Sequence, residues 1–590
     1  MSDAPADSPF EPRYRWLEPP DPPPSLLAAL PDVPPAVVSA LVRRGLADPG
    51  AARRFLDGAW ADDDPFALAG MQQAVMRLRQ AVRNHEPVAV YGDFDADGVT
   101  ATALLTETLR GLGARVITFI PHRERDGYGV HQAALGELAD QGVKVVVTVD
   151  CGIRAGEEVA YARSRGLDII VTDHHVLPEE LPDAVAVINP RRPDCGYGFA
   201  DLAGVGLAYK LAQALLRVEQ SMAPSRGPTL LMLNDHPLPS EEDLLDLVAL
   251  GTVADVVPLV GENRALVRLG LDVLRTGQRR GVAALCAAVG VIPESLTAHD
   301  LGHALAPRLN AAGRMGGAEK ALALLLTRDV AEAEGLAREL NRINDLRRMA
   351  TEEALSAAEA ALAGRMDEPF LLVANADMAM GVVGLVAGRL AERNYRPAAA
   401  VRIEGEFARG SARSIPEFNI VSALDACADL LVRHGGHARA AGFTVRTEHL
   451  PELAARLRAA AQAAFEGQDL RRTLAIDAVL APGEIHWGLY RGLRALEPFG
   501  EGNPRPTLLV RQAIVTKARR VGSRHLKLSF LTNQGLLDAI AFGQADRFDN
   551  ASFAIPDLVR ADLVGVLRAE VWNGAVRMEM RVDDMVACRG

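Results

Sequence analysis

The chain has 590 residues, of which 49% are apolar and 24% charged, with a formal charge of -12. That length exceeds what one hydrophobic core organises and implies about three or four domains of ordinary soluble composition. The negative balance excludes a chain-wide polyanion binder and leaves nucleic acid only a local basic surface.

The five cysteines (Cys151, Cys195, Cys286, Cys427 and Cys588) contain no C-x-x-C pair. This excludes a zinc ribbon and fits a reducing compartment. The first residues, Met1-Ser-Asp-Ala-Pro-Ala-Asp7, have neither a basic start nor an apolar core. No uncharged apolar run approaches the roughly 18 residues of a membrane span. The expectation is a cytoplasmic protein with no membrane partner.

Residues 1–35 are rich in proline, including Pro22-Pro-Pro24, and read as an extended arm in which Arg13-Tyr-Arg-Trp-Leu17 can dock on the body. Short helical patterns fill 36–86. Apolar, β-branched runs then predict strands at 88–91, 115–120, 143–149, 168–172 and 184–188, separated by helical stretches. This is the pattern of an α/β domain with a parallel sheet covered on both faces.

Polar residues follow directly on several of those strands. Asp93, Asp95 and Asp97 alternate in Tyr91-Gly-Asp-Phe-Asp-Ala-Asp-Gly98, and a continuing strand would point all three one way. Three such carboxylates repel unless a multivalent cation or a shared proton relieves them. Asp150 ends the third run, and Asp173-His174-His175 ends the fourth. In a parallel sheet these ends share one edge, so the groups can converge on one crevice. An Asp-rich surface turn and a satisfied structural histidine are the bland alternatives. The apolar stretch 244–254 delivers Asp255, either a further ligand or a helix-end hydrogen-bond acceptor.

Residues 306–314 read as a small-residue turn carrying Arg308 and Arg314, suited to phosphate oxygens or simply to the surface. Spacing of 3.6 residues across 329–362 predicts a long helix joining two α/β regions as a rigid spacer. The second region begins at 370–374 and includes two Gly-rich stretches, 409–414 and 435–442. Both are expected to be turns whose backbone N–H groups form anion-binding concavities. The last 120 residues or so are strand-like, with Asn573-Gly574 as a hairpin signal. Between Glu501 and Asp538 there are no acids, but Arg505, Arg511, Lys517, Arg519, Arg520, Arg524 and Lys527 are present. These features predict a small barrel binding single strands, or a solvated basic edge.

With these motifs in hand, the chain resembles the DHH phosphoesterase superfamily, and within it the RecJ-type single-stranded-DNA-specific exonucleases. The resemblance rests on Gly92-Asp-Phe-Asp-Ala-Asp-Gly98, Thr148-Val-Asp-Cys-Gly152, Asp173-His-His175, Gly251-Thr-Val-Ala-Asp-Val-Val-Pro258, Arg308-Leu-Asn-Ala-Ala-Gly-Arg314 and Gly435-Gly-His437, in that order. It implies a DHH catalytic domain over 36–328, a connecting helix at 329–365, a DHHA1 domain over 366–468 and an OB-fold over 469–590. It also implies two ions, Mn²⁺ or Mg²⁺, the first on Asp95 and Asp150 and the second on Asp97, Asp150, His174 and Asp255. Asp93 and His175 complete the implied catalytic group. Arg123, Arg308, Arg314, Ser411, Arg413 and His437 are the implied contacts to the strand and its terminal phosphate.

Two departures stand out. Tyr91 replaces a histidine common in the superfamily, and Met378-Ala379 replaces a Trp-His pair. The implied activity is two-metal hydrolysis of single-stranded DNA from the 5′ end to mononucleotides, in repair and recombination. Candidate protein partners are a helicase and a single-strand-binding protein. The alternatives are a phosphodiesterase for short oligonucleotides or cyclic dinucleotides, a pyrophosphatase, and a catalytically dead scaffold.

Overall fold

The computed structural model describes residues 12–58, 63–122, 126–127, 129–222, 236–545, 559–572 and 575–588. They fall into two compact units. The larger runs from residue 63 to 470 and includes 500–502, and the smaller unites residues up to 58 with 471–499 and those from 503 on.

In the larger unit a five-stranded sheet has the order Val116–Phe119, Val88–Gly92, Val145–Val149, Asp168–Thr172, Ala186–Ile188, with every pair parallel. The Val/Ile runs are continuous because both faces are covered. Val88, Val90, Val145 and Val147 face a core shared with the helices Ala96–Gly111, Gly204–Met222 and Leu245–Ala254. Ala89, Tyr91 and Val146 face the opposite core with helices Gln132–Asp140 and Gly156–Ser164.

The predicted long helix is Val330–Ala361, 32 residues, started by Asp329, whose side chain accepts from the Glu332 N–H. Ala333, Ala337, Leu340 and Ile343 belong to the core of the first sheet. Leu355 and Ala358 belong to a core with the helix Met380–Asn394. The helix is therefore packed into both α/β regions.

The second sheet has the order Leu431–His437, Ala440–Arg446, Phe407–Arg413, Ala398–Glu404, Leu371–Asn375, antiparallel except for its last pair. This corrects the expectation for 409–414 and 435–442, which are mostly strand rather than turn; the reversal after His437 is Ala438-Arg439. The glycines serve close packing. A Cβ on Gly410 would stand 2.2 Å from the Phe443 ring, which covers that position.

In the smaller unit, Leu508–Val521, His525–Thr532, Gly535–Ala541, Ala575–Ala587 and Val559–Trp572 pair in succession, and the last returns to the first to close a barrel. The expected hairpin residues Asn573-Gly574 lie outside the described residues. The start of the chain belongs to this unit. Arg15–Leu17 pairs in parallel with Thr473–Ala475, and the Trp16 indole N–H donates to the buried Asp584 carboxylate at 2.9 Å. The expected assignment of residues from 36 to the catalytic domain is corrected. Helix Pro35–Arg43 puts Val37, Val38, Ala40 and Leu41 into the barrel core, and Arg44 pairs with Asp477 at 2.7 Å. The physical reason is burial: this short helix is apolar on most sides and needs a core on more than one of them.

Among the described residues no helix is long and apolar enough to cross a membrane.

Candidate functional site

The first strand ends at Gly92, and the three aspartates that follow do not share a strand face. Asp95 caps the helix Ala96–Gly111, its Oδ1 accepting the N–H of Asp97 at 3.0 Å and of Gly98 at 3.1 Å. Asp97 lies in the first helical turn, and Asp93 is buried before the cap. The alternation expected from the sequence is replaced by a turn and a helix, which spread the carboxylates around a crevice. The Asn310 side-chain oxygen accepts the Ala96 N–H at 2.9 Å, fixing the helix start.

Asp97 is held from the other side. Its two oxygens accept the N–H groups of Gly204 (2.6 Å) and Val205 (2.8 Å), the first residues of helix Gly204–Met222. A helix N-terminus favours an anion there. A Cβ on Gly204 would lie 2.6 Å from the Asp150 Cβ, so only glycine lets these two aspartates approach the helix start together.

Asp150 follows its strand with φ +61°, a conformation uncommon for a residue with a side chain and typical of functional sites. His174 and His175 follow Asp168–Thr172 after Asp173, and Asp255 caps the C-terminus of Leu245–Ala254. The His174 Nε2 lies 3.1 Å from Asp150 Oδ1 and 3.6 Å from Asp255 Oδ2. Three donor groups each gather within 4.8 Å: Asp150, His174 and His175; Asp97, His174 and Asp255; Asp93, Asp95 and Asp150. The structure thus brings together Asp93, Asp95, Asp97, Asp150, His174, His175 and Asp255.

The electrostatics are those of an uncompensated acid cluster. Burial, then the charge of Asp95, raises the Asp97 carboxyl to about 7. Burial and the charge of Asp97 raise Asp255 to about 9 and hold Asp150 well above the carboxylate range. Burial and the neighbouring His175 lower His174 to about 4, leaving a neutral imidazole. For His175 burial opposes the charge, but the hydrogen bond to Asp173 (2.7 Å) and the charges of Asp173, Asp97 and Asp93 together outweigh it, and its pKa is raised. Asp173 also accepts the Ile153 N–H at 2.9 Å and is held low.

Asp150 Oδ1, His174 Nε2 and Asp255 Oδ2 are buried with no hydrogen-bond partner among the described residues. Buried polar atoms in that state cost roughly 1–3 kcal/mol each, so they point to a missing partner. Hard oxygen donors with one imidazole fit Mn²⁺ or Mg²⁺.

The other predicted residues divide. Ser411, Arg413 and His437 share one face of the second sheet, since Arg413 pairs with Ala440 and Ala440 with His437. Arg413 donates to the Ser411 hydroxyl at 2.8 Å, and both lie over Gly384 of helix Met380–Asn394. The start of that helix also meets Arg314, whose carbonyl would be 2.5 Å from a Cβ on Gly381. Arg308 uses its Nε on Asn341 and a terminal nitrogen on the Ala304 carbonyl. Arg123 lies outside the described residues.

Tyr91 is no stand-in for a ligand histidine. It is fully buried in the core opposite to the acid-bearing helices, its ring lies 4.9 Å from Phe119, and its hydroxyl donates to the Gly129 carbonyl. Met378 is buried, and Ala379 caps the next helix without a side-chain bond. Gly204, Val205 and Asn310 were not predicted as site residues. Asn310 sits inside a quoted motif, while Gly204-Val-Gly206 gives no polar signal because its contribution is backbone N–H.

A parallel sheet with an Asp-His-His edge, joined by a long helix to a mixed sheet, defines a protein of the DHH class. The family models agree: the DHH family N-terminal domain matches residues 87–252, the DHHA1 domain 367–463 and the RecJ OB domain 476–584. The single-stranded-DNA-specific exonuclease RecJ of Bacillus subtilis (strain 168) is 38% identical, over 93% of this chain and 68% of its own length. The protein of that name from Dickeya dadantii (strain 3937) is also 38% identical, over 88% of this chain and 91% of its own length. The crystal structure of RecJ from Thermus thermophilus in complex with Mn²⁺ superposes with a TM-score of 0.81 at 32% identity, covering 98% of this chain and 80% of that one. Its complex with Mg²⁺ gives 0.75. This chain belongs to the RecJ family.

Proposed function

We propose that this chain is a two-metal exonuclease that hydrolyses single-stranded DNA from the 5′ end to mononucleotides, in DNA repair and recombination. The observation that carries the reading is the crevice where Asp97, Asp150, His174 and Asp255 converge with three buried, unpartnered ligand atoms. Asp95 and Asp150, with Asp93 beside them, would hold one divalent ion, and Asp97, Asp150, His174 and Asp255 the other. Bound there, the ions supply a nucleophilic water at neutral pH and neutralise charge on the reacting phosphate.

The residues themselves do the positioning. Asp150, held at φ +61°, belongs to two of the three donor groups. Asp97 is fixed by two backbone N–H groups before any ligand arrives. His174 stays neutral and keeps a lone pair available. His175, anchored on Asp173, can hold a proton near a phosphate oxygen.

On this reading Arg314, Ser411 and Arg413, with Arg123 and His437, grip the terminal phosphate, which offers more charge and more free oxygens than a diester. The barrel carries exposed Lys517 and Arg519 along one strand for the backbone of the strand being fed in. A helicase and a single-strand-binding protein are the partners that would present such a substrate.

End-labelled digestion with Mn²⁺, Mg²⁺ or EDTA tests the proposal. Mononucleotides released from 5′-phosphorylated single strands, with blunt duplex and circular single strands spared, are the expected result. Rapid cutting of single-stranded circles, or shortening from the 3′ end, would overturn it.

A further inference from the structure

The helix Val330–Ala361 carries a charge that no described residue answers. Arg347 is half-buried near its middle, and its Nε is fully enclosed. Among the described residues its guanidinium makes no hydrogen bond and no ion pair. A cation taken partly out of water is normally paired, because desolvation otherwise goes uncompensated. Arg279, in the same unit, obeys that rule, with Asp246 at 2.5 Å and Glu107 at 2.8 Å.

Around Arg347 the neighbouring charges have the same sign. Arg389, Arg348 and Arg308 all act on it, and together with burial they push its pKa down. Arg308 bonds only neutral acceptors, Asn341 and the Ala304 carbonyl, and burial lowers its pKa too. Arg389 has Glu352 as its ion-pair partner, and Asp345 is the acid that acts on Arg308. Among the described residues, Glu352 thus answers Arg389 and Asp345 acts on Arg308, while Arg347 has neither.

We propose that Arg347, with Arg308, Arg348 and Arg389, forms a phosphate-binding subsite on the connecting helix, and that its ligand is a phosphate oxyanion of a DNA strand. The helix then guides the strand as well as joining two domains. Only the identity of the ligand as DNA rests on the function proposed above; the anion site itself rests on the unanswered charge.

The test uses the full chain with EDTA present to prevent cleavage. Binding of 12-nucleotide single strands, 5′-phosphorylated or 5′-hydroxyl, is measured across a salt series for wild type, Arg347→Gln and Arg347→Lys. Arg347→Gln should weaken binding by about tenfold. It should also make the slope of log K against log salt shallower by about 0.7, one phosphate contact on a single strand. Arg347→Lys should keep the slope. Loss on both oligonucleotides assigns an internal diester to the site, and loss confined to the 5′-phosphorylated one assigns the terminal phosphate.

Melting in inorganic phosphate gives a readout that needs no DNA. Phosphate should raise the Tm of wild type more than that of Arg347→Gln, which should be no less stable in phosphate-free buffer. Retention of both effects together with failure of all nuclease activity would remove the exonuclease reading and leave the anion site standing. An Arg347→Gln protein with unchanged affinity and slope overturns the proposal. So does one that simply melts earlier, with the same response to phosphate as wild type.

Discussion

Two buried charge clusters in the larger unit are built alike and behave in opposite ways. Around Arg279, one guanidinium meets the carboxylates of Asp246 and Glu107 and also donates to the Leu325 carbonyl. Around His174, the carboxylates of Asp97, Asp150 and Asp255 converge on a neutral imidazole, and burial together with neighbouring carboxylates raises the pKa of all three. The first cluster is closed by its own protein partners and holds helices together. The second is left open, with three buried ligand atoms that no described residue hydrogen-bonds. Burial of charge alone does not separate structure from function; the presence or absence of a protein counter-charge does.

The largest expected effect breaks the open cluster at its centre. Asp150→Ala removes the carboxylate shared by two donor sets. Activity on single strands should fall at least about a thousandfold, roughly 4 kcal/mol of transition-state stabilisation. The melting temperature in EDTA should not fall, because a repelling charge has gone. Near-wild-type turnover by the folded variant would remove Asp150 from the centre.

The closed cluster should respond the other way. Arg279→Met strands Asp246 and Glu107 without their cation and should cost about 3–5 kcal/mol of stability. Urea unfolding measures this, and the turnover of the remaining folded protein should be close to wild type. If stability is unaffected, the network is not what secures these helices.

A pH series sharpens the contrast. Asp97 and Asp255 have folded pKa values raised above the unfolded one, so their contribution to stability is complete below the unfolded value. It is lost as pH rises through about 7 and then about 9. The metal-free protein should therefore lose stability as pH rises from the unfolded carboxylate range to about 7 for Asp97 and on to about 9 for Asp255, on the order of 1.4 kcal/mol per pH unit for each group across its window. Added Mn²⁺ should flatten that decline. An EDTA-treated protein with constant stability between pH 6 and pH 9 would contradict the open-cluster account.

The smallest effect lies at the second sheet. Arg413→Ala should slow digestion of a 5′-phosphorylated strand by about tenfold. It should slow the 5′-hydroxyl strand less. Equal losses on both would move Arg413 away from the terminal phosphate.

Much of this architecture is written locally. The Val/Ile runs that predict strands end within one or two residues of the observed Val88–Gly92, Val145–Val149 and Asp168–Thr172, because β-branched runs buried on both faces leave few other conformations. Helix Val330–Ala361 is as legible, since its apolar period and its Asp329 cap need no distant partner. The parallel sheet also determines that Asp150, Asp173, His174 and His175 meet at one edge.

What tertiary structure decided lies between elements. Asp93, Asp95 and Asp97 look like one face of a strand, yet Asn310 and the helix at Gly204 draw the chain into a helical turn directly after Gly92. The stretches 409–414 and 435–442 look like turns because they are rich in glycine. Pairing across three strands, with Phe443 over Gly410, makes them sheet. Residues 36–57 gave only a short helical signal, and the barrel core supplies the surface that buries them. The charge on Arg347 is visible in the sequence, but its isolation is not. Whether a carboxylate lies within reach depends on which helices pack together, and no local pattern encodes that.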